Sequence, residues 1–194
     1  MRLLTILCLV LLSVHSYSQE VIPEVETVTR DGLIYHQLST EPLTGTVVSF
    51  HDNGRLWLRR NYKDGEQDGL HEFFYENGQL QWRTNYKDGE YDGLYEFFYD
   101  NGQLWWRENF KDGKRDGHQE KYYENGQLRI RGNWRDGERD GLHEEFHENG
   151  QLWIRRNYVD GKQEGLSEMF DENGNLTGTY TFRNGELVKR NRNP

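Results

Sequence analysis

The dipeptide Asn-Gly falls at positions 53, 77, 101, 125, 149 and 173, always 24 residues apart with no insertion or deletion. Spacing kept this strictly marks a stacked repeat array, in which every unit must offer its neighbours the same surface. A second turn signal follows 11 residues later as Asp-Gly at 64, 88, 112, 136 and 160, closed by Asn184-Gly185. Both dipeptides suit two-residue type I′ turns, whose central residues take positive φ and whose twist matches the strands they join. A third glycine recurs as Gly45, Gly69, Gly93, Gly117, Gly141 and Gly165. The expected fold is all-β: an elongated single-layer antiparallel meander of six 24-residue hairpin repeats. At two strands per repeat, spaced about 4.8 Å apart, the array extends roughly 55–60 Å.

Between the turns lie proline-free runs rich in aromatics, such as Leu70 to Tyr75 and Leu80 to Tyr86. A two-residue turn at Asn77-Gly78 places Tyr75 opposite Leu80, Phe73 opposite Trp82 and Glu72 opposite Arg83. The charge pair recurs as Glu96 with Arg107, Glu120 with Arg131 and Glu144 with Arg155, which penalises any slip of register. Gly78, Gly102, Gly126 and Gly150 serve the turns themselves. Counting from Asp88-Gly89 instead places Trp82 opposite Tyr95, Leu80 opposite Phe97 and Arg83 opposite Leu94. One face, A, then carries the Glu, Arg and Asn columns with the aromatic column Phe50, Phe74, Phe98, Tyr122, Phe146 and Phe170. The other, B, carries leucines from Leu56 to Leu176 and the rings Tyr62, Tyr86, Phe110, Trp134, Tyr158 and Phe182. Rings stacked along the sheet give a thin layer its core, although only 34% of residues are hydrophobic.

Residues 1–18 read as a signal peptide: Arg2, an apolar run from Leu3 to Leu12, then small residues at Ser16 and Ser18. The apolar run is too short for a spanning helix. Export to the periplasm, cell envelope or exterior follows as an expectation. Cys8 would leave with the signal, so neither disulfides nor thiol ligands would remain. Residues 19–44 read as an N-terminal cap, 45–188 as the six repeats and 189–194 as a basic tail. The net charge of −9 disfavours nucleic acid and membrane binding and favours a basic protein partner.

The recurring pattern G-L-x-E-x-F-x-x-N-G-Q-L-x-x-R-x-N-Y-x-D-G-x-x-D resembles the MORN repeat in its bacterial variant, over residues 45 to 187. The segment Trp82 to Tyr86 is similar to the family's Y-x-G-x-W stretch, as are Trp106 to Phe110 and Ile130 to Trp134. The stretch departs from the family at its middle glycine, kept only as Gly132 and replaced by Arg60, Thr84, Glu108, Arg156 and Tyr180. The resemblance implies a hairpin array serving as scaffold or binding surface, and some bacterial relatives are labelled antitoxin components.

No isolated acid, base or nucleophile stands out, so catalysis and cofactors are not expected. The histidines are scattered, and His143 with His147, at i and i+4, do not converge on a strand. Asp64 to Gly69 is similar to the opening of a calcium loop but lacks its twelfth-position glutamate, where Tyr75 stands. The least regular column holds Trp57, Gln81, Trp105, Arg129 and Trp153, with indoles in every second repeat, and it is expected on face A. These five residues are the candidate partner-binding set; the competing role for the indoles is stacking over the arginine column. The expected function is an exported, non-catalytic scaffold binding a protein through one sheet face. The alternatives are an antitoxin or immunity protein for a basic toxin, and glycan binding by the tryptophans.

Overall fold

The computed structural model describes residues 20–192, and the expected signal peptide lies outside the described residues. One 17-stranded sheet carries the repeats, with a separate two-stranded hairpin at the N-terminal end. Strand follows strand in antiparallel pairing through the repeats, as a meander requires. The exception is Val21–Pro23, which runs parallel to Gly45–Phe50 and covers the edge of the first repeat strand. Thr27–Arg30 and Leu33–His36 form the small hairpin over the same end. Beneath them Ile22, Leu43, Val47 and Tyr62, with Ile34 packed alongside, make a buried cluster. These N-terminal elements cover both a hydrogen-bonding edge and an apolar cluster, the two liabilities of a terminal repeat.

The two turns differ. At Asp-Gly, both residues take positive φ, 48° at Asp88 and 80° at Gly89, so this is the two-residue type I′ turn. At Asn-Gly, only the glycine does, with 88° at Gly78. There the Gly78 N–H donates to the Tyr75 carbonyl at 2.8 Å and the Tyr75 N–H donates to the Gln79 carbonyl at 2.8 Å. The loop thus holds three residues, Glu76, Asn77 and Gly78, as a type I turn followed by a left-handed glycine. Asn77 has a different job from the one expected. Its Oδ1 accepts from the Gln79 N–H at 2.8 Å, and its Nδ2 donates to the Asp100 carbonyl in the next repeat's turn at 2.8 Å. The same bond between turns joins Asn53 to Glu76, Asn125 to Glu148 and Asn149 to Glu172.

The longer turn changes the register beside it. Phe74 pairs with Leu80 but Phe73 pairs with Trp82, so Gln81 is an extra residue in a β-bulge. Trp57, Trp105, Arg129 and Trp153 occupy the same bulge in their own repeats. The expected pairing of Tyr75 with Leu80 is corrected accordingly. The leucine column moves to face A beside the Phe74 column, and the bulged residues move to face B. Glu72 with Arg83 keeps the expected register because it lies beyond the bulge.

A second correction comes from the third glycine. Lys87 pairs with Glu90 and Tyr86 with Tyr91, but Thr84 pairs with Tyr95, Arg83 with Glu96 and Trp82 with Phe97. Two extra residues are absorbed around Gly93, whose φ is 103°. Arg83 therefore faces Glu96 and not Leu94. Two is even, so both faces survive the shift. The residues expected as a basic tail, from Lys189 to Arg192, belong instead to the last strand, Glu186–Arg192.

Candidate interaction surface

With both corrections made, face A carries one unbroken column: Arg59, Glu72, Arg83, Glu96, Arg107, Glu120, Arg131, Glu144, Arg155 and Glu168, each opposite the next. Every inner glutamate has an arginine strand on both sides. Glu96, with 0% of its surface exposed, accepts from Arg83 Nε at 2.6 Å and from Arg107 Nε at 2.8 Å. Glu144 accepts from Arg131 at 2.5 Å and Arg155 at 2.9 Å. Burial pushes the Glu144 carboxyl up, but the hydrogen bonds and charges of these two arginines outweigh it and hold the group below its ordinary value. Glu72 pairs with Arg59 at 2.7 Å, while Glu120 lies 3.9 Å from Arg107. Each charge in this column finds its opposite within the sheet, so face A offers little unmatched charge to a partner.

Face B is built from rings. Phe73 stacks on Trp82 with centroids 4.4 Å apart, and Phe97 on Trp106 at 6.1 Å. Tyr86, Tyr91, Tyr95 and Phe110 continue the cluster. His71 is buried among them, its Nε2 2.8 Å from the Asn61 carbonyl. Desolvation lowers its pKa to about 4, with the nearby Arg60 charge acting in the same direction. Glu108 is the buried carboxylate of this face, bonded to Arg115 Nε at 3.0 Å and Gln119 Nε2 at 3.2 Å. Here burial dominates, and the carboxyl is raised above its ordinary value despite Arg115. Gly132 is small for a local reason: the His143 ring lies where a side chain would project, 2.8 Å from a Cβ.

The candidate residues sit at the Asn-Gly edge of this ring face. Trp57, Trp105 and Trp153 keep 40%, 37% and 40% of their surface exposed. They do not stack over the arginine column. Each leans instead on the residue that opens its own turn: Trp57 on His51 at 6.3 Å, Trp105 on Tyr99 at 6.0 Å and Trp153 on His147 at 5.8 Å. Arg129 lies over Tyr123 at 5.5 Å in the same arrangement, and Gln81 is the half-buried polar member of the column. The rings beneath are themselves clamps between repeats. Tyr75, Tyr99 and Tyr123 donate their hydroxyls to Phe98, Tyr122 and Phe146 carbonyls at 2.8–2.9 Å, and His51 and His147 reach Phe74 and Phe170. The exposed column thus rests on a rigid row, set by bulges that a two-residue turn would not have made.

Sequence reasoning missed the cations of face B. Arg115 lies over Trp134 at 4.9 Å, Lys121 over Trp106 at 4.3 Å and Arg139 over Trp134 at 5.6 Å. Their signal was present, because positions 115, 121 and 139 fall on the ring columns, but only the corrected register places them side by side.

The MORN repeat variant model matches six consecutive segments, 43–64, 67–88, 91–112, 115–136, 139–160 and 163–184, more than half of the chain. The chain belongs to the MORN repeat variant family. No curated protein matches it. Among solved structures it is similar to TarM, at 18% identity and a TM-score of 0.28, over 64% of this chain and 20% of that one. A TarM mutant from S. aureus, in complex with Fondaparinux, alpha-GlcNAc-glycerol and UDP, matches at 16% identity and 0.27, over 74% and 21%. The GtfA/B complex bound to UDP and GlcNAc matches at 13% and 0.20, over 78% and 27%. This chain spans about a quarter or less of each, and scores this low carry no argument.

Proposed function

We propose that this chain is an exported, non-catalytic scaffold that binds a protein partner along the Asn-Gly edge of its ring face. The observation that carries the reading is the exposure of Trp57, Trp105 and Trp153, large rings held outward on a rigid row where a sheet has no structural need of them. Aromatic anchors of this kind dominate binding energy at protein interfaces. The indoles recur every second repeat, roughly 19 Å apart by strand spacing, a distance that suits an extended or repetitive partner. The charge column of face A supports the assignment by default, since its ions are already matched.

The test is capture from an envelope extract with the wild-type chain and with a Trp105→Ala, Trp153→Ala variant. One defined protein retained by the first and lost by the second is the expected result. Retention of the same protein by both would move the interface elsewhere. Sequencing the N-terminus of the chain recovered from cells tests export, with a start near residue 19 expected.

A further inference from the structure

We infer that the ring face selects an acidic peptide segment, although the chain as a whole is strongly acidic. The inference rests on the docking reading above and names the chemistry of its partner. The net charge of −9 would favour a basic partner, but net charge is an average over surfaces that differ. On face B, four cations converge across neighbouring strands. Lys121 and Arg115 share the Trp106 ring, at 4.3 and 5.9 Å, and Arg115 and Arg139 share the Trp134 ring, at 4.9 and 5.6 Å. Glu108 is the opposite charge that acts most on Lys121, ahead of the three arginines. Arg115 is matched by Glu108. Lys121, Arg129 and Arg139 form no ion pair within 4.0 Å with any described carboxylate; their partners are the rings of Trp106, Tyr123 and Trp134. A cation over a ring face keeps its charge available to an incoming carboxylate, and the ring supplies apolar contact beside it.

The cations also lie in the right place. Arg129 occupies the bulge column between Trp105 and Trp153, and Lys121 pairs directly with Trp106 beside it. An extended segment of about six residues, at about 3.3 Å each, spans from one indole to the other and crosses the cations midway. Apolar side chains would meet the indoles and a carboxylate would meet Arg129 and Lys121. Trp105 is wedged against Phe97, Tyr99 and Trp106, so its indole is not a free flat platform for a sugar ring.

The experiment titrates the full chain, by tryptophan fluorescence, with peptides of about eight residues in which leucine alternates with glutamate, lysine or glutamine. The glutamate peptide is expected to bind saturably, about tenfold or more tighter than the lysine peptide, and to weaken as salt rises from about 50 to 200 mM. Lys121→Gln with Arg129→Gln should weaken it by about tenfold. Arg129→Gln alone, at an exposed position, keeps the test valid should the double variant fold poorly. Equal or tighter binding of the lysine peptide, or unchanged binding by a folded variant, would overturn the proposal. So would tighter binding of polygalacturonate or of anionic phosphatidylserine vesicles than of the glutamate peptide. If glutamine and glutamate peptides bind alike and both are lost with Trp105→Ala, selection for acid falls while docking along the indoles stands. If Trp105→Ala leaves glutamate-peptide binding intact but Arg129→Gln removes it, the cations stand and the indole edge falls.

Discussion

Glu144 on face A and Glu108 on face B are both buried carboxylates in strand centres, yet their environments act on them in opposite directions. Glu144 sits between two arginines that reach it from both neighbouring strands. Glu108 has one arginine and one amide, set among rings. The lesson is that burial alone does not decide whether a strand glutamate stabilises a single-layer sheet. At Glu144 the two arginines outweigh desolvation; at Glu108 the single arginine does not.

The sharpest way to break this comparison is Glu144→Gln. It leaves Arg131 and Arg155 facing each other across a neutral group, and a loss of about 3 kcal/mol is expected from urea unfolding. Glu120→Gln, at a carboxylate 3.9 Å from Arg107, should cost less than about 1 kcal/mol. Equal costs would show that position in the array matters and pairing does not.

Lowering the pH acts next, and through the other face. His71 is neutral when folded, with a pKa of about 4 against an ordinary 6.5, so between those values the unfolded chain binds the extra proton. Stability is then full above about pH 6.5 and falls by about 1.4 kcal/mol per unit below it, roughly 2 kcal/mol by pH 5. His71→Phe should flatten that slope. The Glu144 carboxyl has the same sign at lower pH: its folded value is depressed, so its contribution is lost as the pH drops through the carboxylate range.

A smaller effect tests what joins the repeats. Asn77→Ala removes both the bond to the Gln79 N–H within the turn and the bond to the Asp100 carbonyl of the next, and about 1 kcal/mol should be lost. Asn77→Asp keeps the acceptor and loses the donor, so it should fall between alanine and wild type. This residue also marks the limit of what could be read from sequence. The period, the meander, the Asp-Gly hairpins and the Glu72–Arg83 register were all legible, because turn chemistry and charge pairing are local. The turn type at Asn-Gly was not, since the same dipeptide serves a two-residue and a three-residue loop, and only stacking against the next turn decides between them. That one residue moved the leucines to face A and the tryptophans to face B. The third glycine was visible at Gly93 and Gly117, but a two-residue bulge leaves face parity intact, so the pattern of columns gave no sign of it. The cation cluster of face B was hidden by the same shift.

The smallest effect has the opposite sign. With its carboxyl raised, Glu108 is in the folded state a better proton acceptor than in the unfolded one, so its burial costs stability at neutral pH and that cost fades as the pH falls. Glu108→Gln keeps an oxygen for Arg115 and the contact with Gln119 while removing the buried charge. It should leave stability at neutral pH unchanged or raise it by up to about 1 kcal/mol, where the same exchange at Glu144 costs several times that. It also removes a carboxylate whose charge acts on both Arg115 and Lys121. An acidic peptide should bind the Glu108→Gln chain about three-fold tighter, read by the same fluorescence titration. A loss of stability as large as that of Glu144→Gln would mean that Arg115 alone is enough to make a buried glutamate stabilising, and the distinction between the two faces would disappear.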